Sequence, residues 1–137
     1  MNGRWSTRPG GSWRSGPRSR TPPSLPGGAR DAEWHQVRIA AKPARCAGDA
    51  VAAVLGEEAA AFACQMEKVM EILGEHQDAA DAGAAIRELA RSADAPASFT
   101  LGVLYAAKRE RVTATRRRFA TLWPKVSRRK WCRWLTR

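Results

Sequence analysis

The sequence predicts an all-α chain: an antiparallel helical bundle over residues 31–137, behind a disordered segment of residues 1–30. Three features carry that prediction. Large apolar residues between 62 and 122 recur at the three- and four-residue spacing of a helix face. Alanine, the strongest helix former, fills much of the sequence between them. Residues 1–30, by contrast, are mostly Gly, Pro, Ser and Arg, with no periodic apolar residues to offset the entropy of ordering them. With 137 residues there is room for one such bundle, and its Ala and Gly content predicts a thin core.

The elements follow in order. A first helix should start at Asp31 to Glu33, whose carboxylates suit the positive end of a helix. Pro43 should cost about 3 kcal/mol or kink it, because proline removes a hydrogen bond and crowds the carbonyl four residues back. After Gly56, the residues Phe62, Met66, Val69, Met70 and Leu73 form one apolar face of a second helix, with Glu67, Glu71 and Glu75 turned outward. Gly74-Glu75-His76-Gln77-Asp78 should then turn the chain, with Asp78 capping a short Ala-rich helix that ends near Arg91. His76 lies near the apolar side and is expected as a partly buried, hydrogen-bonded structural residue. Ser92 to Ser98, containing Pro96, breaks the chain again. The last long helix carries Leu101, Leu104, Tyr105, Val112, Phe119 and Leu122 at helical spacing and should end at Trp123-Pro124. Lys108 falls inside that stripe, so its ammonium should snorkel outward or face a polar cavity. Trp131 and Trp134, in the basic tail, are expected to pack back onto the bundle.

The stretch Trp34 to Arg45 is unusual in where its polar residues fall. His35, Arg38, Lys42 and Arg45 are spaced i, i+3, i+7, i+10, and at about 100° per residue they share roughly 80° of helix surface. Three cations in one lane repel each other by a few tenths of a kcal/mol per neighbouring pair. Asp31 and Glu33 precede the lane and no carboxylate follows until Asp49, whereas an ordinary solvated face mixes signs. Such a lane favours an anionic partner.

The pattern H-x-x-R-x-x-x-K-x-x-R at the start of an Ala-rich helix, with LGEHQD at 73–78, resembles the conserved histidine α-helical domain, the CHAD family. The resemblance runs from about Trp34 to Leu135 and is to the second half of that domain alone. It implies an all-helical protein that binds inorganic polyphosphate in a basic cavity between two similar four-helix halves. It also implies association with polyphosphate granules, in the cytoplasm that the unpaired cysteines and the lack of a signal or membrane span suggest. The binding residues it implies are His35, Arg38, Lys42 and Arg45, extended by Lys68 and Lys108. The family normally has a basic residue where Pro43 stands and an aromatic one at Cys46, departures that bear most on the geometry of Arg45. The preceding half is missing from its expected place, so the chain reads as a truncated domain that assembles with another half or with itself.

Charge and cysteines narrow the alternatives. The formal charge is +11, distributed as +6 over residues 1–30, +1 over 31–45, −7 over 46–100 and +11 over 101–137. A polyanionic partner is implied, such as polyphosphate, nucleic acid or an acidic membrane surface, of which the membrane is not expected. The nucleic-acid alternative would use the two basic ends, with tryptophans such as Trp5 and Trp13 stacking on bases, although no recognised nucleic-acid motif is present. A third reading is a half-domain that binds nothing by itself. Cys46, Cys64 and Cys132 form no C-x-x-C pair, and with only His35 and His76 beside them they suggest neither disulfides nor a metal site. No apolar run reaches the length of a membrane span or a secretory signal, and the Pro and Gly of residues 1–30 argue against the amphipathic helix of a transit peptide. No nucleophile–base arrangement, P-loop or G-x-G-x-x-G is present, so neither an enzyme nor a cofactor is expected.

Overall fold

The computed structural model describes residues 30–136, with side chains as far as Arg133. Three long helices, α1 (Asp31–Leu55), α2 (Glu57–Ala90) and α3 (Ala95–Val126), are followed by a 3-10 segment, Arg129–Thr136, and there is no strand among the described residues. Except for Arg30, the expected disordered segment lies outside the described residues, as do Trp5 and Trp13 and the side chain of Trp134.

Helix α1 begins where the acids predicted. The Glu33 carboxylate accepts from the Arg30 backbone N–H at 2.7 Å, and Asp31 and Glu33 occupy the first turn. Pro43 lies inside the helix, which continues another twelve residues to Leu55. Pro43 and Ile39, whose carbonyl loses its partner, are both exposed, so water can satisfy the freed oxygen.

One residue, Gly56, separates α1 from α2. Its φ of 74° is a conformation that side chains disfavour, and it reverses the chain into a helical hairpin. The hairpin is tight at Gly48, where a Cβ would come 3.0 Å from Phe62 Cδ1 and 3.1 Å from Ala63 Cβ.

Helix α2 is a correction. The expected turn at 74–78 and the separate helix after it do not form, and α2 is continuous through them. The buried residues Ala59, Ala63, Met66, Val69, Leu73, His76, Ala80 and Gly83 keep a three- and four-residue spacing along its length. After Leu73 the stripe passes into small residues, which hide it from a search for large apolar side chains. A glycine inside a helix costs only about 0.5–1 kcal/mol, too little at Gly74 to break a packed stripe.

Helix α2 is the central element: α1 packs on one side, α3 on another, and the 3-10 segment also lies against it. The main core joins Trp34 and Ala41 of α1, Met66, Val69, Ile72 and Leu73 of α2, and Phe119 and Val126 of α3. A fully buried side chain of the size of Leu73 contributes about 1.5–3 kcal/mol.

At the start of α3 the Asp94 carboxylate accepts from the Ala97 N–H at 2.8 Å, with Pro96 in the first turn. The helix ends at Val126, one turn later than expected at most, because Pro124 sits in its last turn. Val112 and Phe119 are buried as predicted, but Leu104 is half exposed. It lies about 100° around the helix from Tyr105, beyond the reach of α2. Trp131 folds back as expected, its Nε1 donating to the Lys125 carbonyl at 2.9 Å.

Candidate functional site

Helix α1 places His35, Arg38, Lys42 and Arg45 on one face, and contacts at both ends fix that face along the seam with α2. At one end His35 Nδ1 lies 2.8 Å from Gln77 Oε1, and Gln77 Nε2 donates to Asp81 at 2.8 Å. Asp81 thus turns the amide so that its oxygen faces the imidazole and accepts from Nδ1–H. That sets the tautomer. Neutral His35 then offers only an acceptor at Nε2, and it can donate a second hydrogen bond only as the imidazolium. At the other end Arg45 lies 3.5 Å from Asp49 and 3.4 Å from Glu67.

The middle of the lane differs. Arg38 and Lys42 have no ion pair among the described residues, and Arg38 Nε is buried without a hydrogen-bond partner. One turn earlier, on the same helix, Trp34 Nε1 is also buried without an acceptor. A buried donor left unpaired costs about 1–3 kcal/mol, so both groups would gain from an acceptor. The α2 side of this seam offers space, since a Cβ on Gly74 would meet nothing within 4 Å.

Lys68 and Lys108 do not join the lane. Lys68 lies about 120° around α2 from Gly74, on the side where Glu75 is held by Arg111 at 3.2 Å and Arg118 at 2.7 Å of α3. Among the described residues Lys68 forms no ion pair with Glu71, three positions on. Lys108 is exposed, its stem passing Gly83 on the α2–α3 contact, so it snorkels as one of the two expectations allowed. Near it a cleft of about 300 Å³ opens on Tyr105, Arg87, Arg91 and Arg109, but Glu88 pairs with Arg91 at 3.2 Å and Asp31 with Arg109 at 2.7 Å.

The sequence reading missed a polar cluster that ties the three helices together. Asp31 accepts from Arg109 Nη1 at 2.7 Å and from Arg116 Nη2 at 2.8 Å, while Arg116 Nε donates to His76 Nε2 at 3.2 Å. Trp34 stacks on His76 with centroids 5.1 Å apart, meets Phe119 edge-on at 5.2 Å, and carries the Arg116 guanidinium 5.3 Å over its ring. Burial first, then the Arg116 charge, pushes His76 down from 6.5 to about 4, so the imidazole is neutral near pH 7. Burial also lowers Arg116 from the ordinary arginine value, against the opposing charge of Asp31. His76 is therefore the hydrogen-bonded structural residue expected of it. The available clue to Arg116 was its place between Val112 and Phe119 in the apolar stripe of α3.

Among the described residues no helix is long and apolar enough to cross a membrane, and no group of three or more His, Cys, Asp or Glu is placed to hold a metal ion. Compared with known protein families, the chain matches the CHAD domain over residues 14–87, just over half of its length. That stretch contains α1 and nearly all of α2, with His35, Arg38, Lys42, Arg45 and Lys68, and stops short of α3 and Lys108. No curated protein and no solved structure matches.

Proposed function

We propose a function from one premise: the chain belongs to the CHAD domain family. In our reading it is a binding module, without catalysis, that holds inorganic polyphosphate along the α1–α2 seam. The observation that carries this reading is the state of Arg38 and Lys42, cations one turn apart with no counter-ion among the described residues, one of them with a buried Nε that lacks an acceptor. A polyphosphate chain presents about one negative charge per phosphate, so a row of cations can engage consecutive units. An arginine can give two hydrogen bonds to one phosphate. His35 lines the same face, with Nε2 as its free ring nitrogen. Arg45 would contribute less, since Asp49 and Glu67 compete with phosphate for its guanidinium. Lys68 and Lys108 would act as separate basic points that a long chain could reach, not as extensions of the lane. In a cell, such a module would sit on polyphosphate granules in the cytoplasm.

Competition separates this reading from nucleic-acid binding, because both polyanions would bind a +11 chain at low salt. At about 150 mM salt, where the Debye length is about 8 Å, long-chain polyphosphate should displace single-stranded DNA at equal phosphate concentration. The reverse ranking would favour nucleic acid. Failure of both to bind would favour a half-domain with no ligand of its own.

A further inference from the structure

The side of α3 turned away from α2 is nearly free of charge over five turns, and it exposes Phe99 and Val103, 76% and 58% accessible, in line with Ala106 and Ala114. Only two charged residues share this face before Pro124, Glu110 and Arg117, both exposed. They are seven residues apart, roughly 10 Å along the axis, too far to pair within the helix. Their neighbours three and four positions away are Ala106, Ala107, Thr113, Ala114, Ala120 and Thr121, and neither has an ion pair among the described residues. Elsewhere on this helix, by contrast, Arg109 and Arg116 hold Asp31, and Arg111 and Arg118 hold Glu75.

We propose that this face of α3 pairs with the same face of a second copy, the two helices antiparallel and crossing between Thr113 and Ala114. In that register a two-fold axis sets Glu110 opposite Arg117 of the other copy, twice, on either side of the crossing. The small residues at the centre let the backbones approach, and Val103 of each copy lies over the far end of the other α3, beside Pro124, with Phe99 just past that end. The contact runs about 38 Å along the helices, enough to approach the roughly 1,000 Å² of total buried surface that a specific association needs. Charge selects the antiparallel direction. It sets Glu110 of each copy against Arg117 of the other. A parallel pair would set Glu110 against Glu110 and Arg117 against Arg117. The pairing depends on α3 and is independent of the polyphosphate reading, which rests on the opposite edge of α2.

Charge reversal on the full chain tests the pairing by sedimentation equilibrium, with circular dichroism confirming equal helicity. The unaltered chain should dimerise at tens of micromolar, and Glu110→Arg or Arg117→Glu alone should weaken the dimer by about tenfold or more, because each creates two like-charge contacts. The double reversal, Glu110→Arg with Arg117→Glu, restores both pairs with their signs exchanged and should recover the original constant to within about threefold. Val103→Asp should leave a monomer. A monomeric unaltered chain would overturn the proposal, as would a dimer that the single reversals leave unchanged or that the double reversal fails to restore.

Discussion

His76 shows how one side chain can be legible in kind but not in company. Its position beside an apolar stripe was enough to predict partial burial, and the structure goes further and leaves it 2% exposed. Its partners come from 40 and 45 residues away in sequence, Arg116 and Asp31, and nothing in local spacing announces them. Asp31 reads as an ordinary helix-start acid, and Arg116 as one of a run of three arginines. Only the fold singles them out. The environment of His76 also fixes a pH response. It titrates at 6.5 in the unfolded chain and at about 4 in the folded one, so between those values the unfolded chain binds the extra proton. The stability contributed by the neutral imidazole is therefore complete above 6.5 and lost progressively as pH falls toward 4. Protonation would also set an N–H at Nε2 against the Arg116 Nε–H. Urea unfolding should show a loss of about 1–2 kcal/mol between pH 7 and pH 5 from this group. His76→Gln, though less stable at pH 7, should show a shallower pH dependence over that range; an unchanged slope would assign the response to other groups.

At the scale of elements, the helix starts at Asp31 and after Gly56 and the break before α3 were readable, because caps, acids and Gly or Pro act locally. The interior of α2 was not. Gly74 and Asp78 carry the local marks of a turn, but the tertiary stripe from Ala59 to Gly83 overrides them, and its second half is built from residues too small to register as apolar periodicity. Two glycine substitutions separate the helix reading from the turn reading. Gly74→Ala should stabilise the protein by about 0.5–1 kcal/mol, since the position is helical and the added Cβ meets nothing within 4 Å. If residues 74–78 formed a turn, the same change would be neutral or destabilising. Gly48→Ala should go the other way, because its Cβ would press on Phe62 and Ala63 where the hairpin is closest. Thermal unfolding of the two variants gives both signs in one experiment. Pro43 and Pro124 teach the same lesson as Gly74: the cost of each is about one hydrogen bond and some strain, and packing on either side offsets it.

For the whole molecule, the all-α architecture was legible because helical periodicity survives in any window with large apolar residues. The candidate lane was legible for the same reason, since i, i+3, i+7, i+10 spacing defines a face wherever the helix lies. The neighbours of that face were not, and they change its reading: Gln77 sets the tautomer of His35, acids occupy Arg45, and Arg38 and Lys42 are left as the unpartnered centre. Lys68 and Lys108 were assigned by resemblance, and the helices turn them to other sides. The proposed function rests on a short, placed pair of cations and not on the total charge. It is tested most directly by titration calorimetry of polyphosphate with two variants at one salt concentration, after circular dichroism shows equal helicity. One variant is Arg38→Ala with Lys42→Ala; the other deletes residues 1–29, removing five arginines but keeping Arg30, whose N–H caps α1. Contacts from fixed cations to phosphate contribute about 1.5–3 kcal/mol each, against a smaller, salt-screened share for each tail arginine. The double variant should therefore lose more affinity than the deletion, though it removes fewer charges; a larger loss on deletion would show that the lane is only a solvated face.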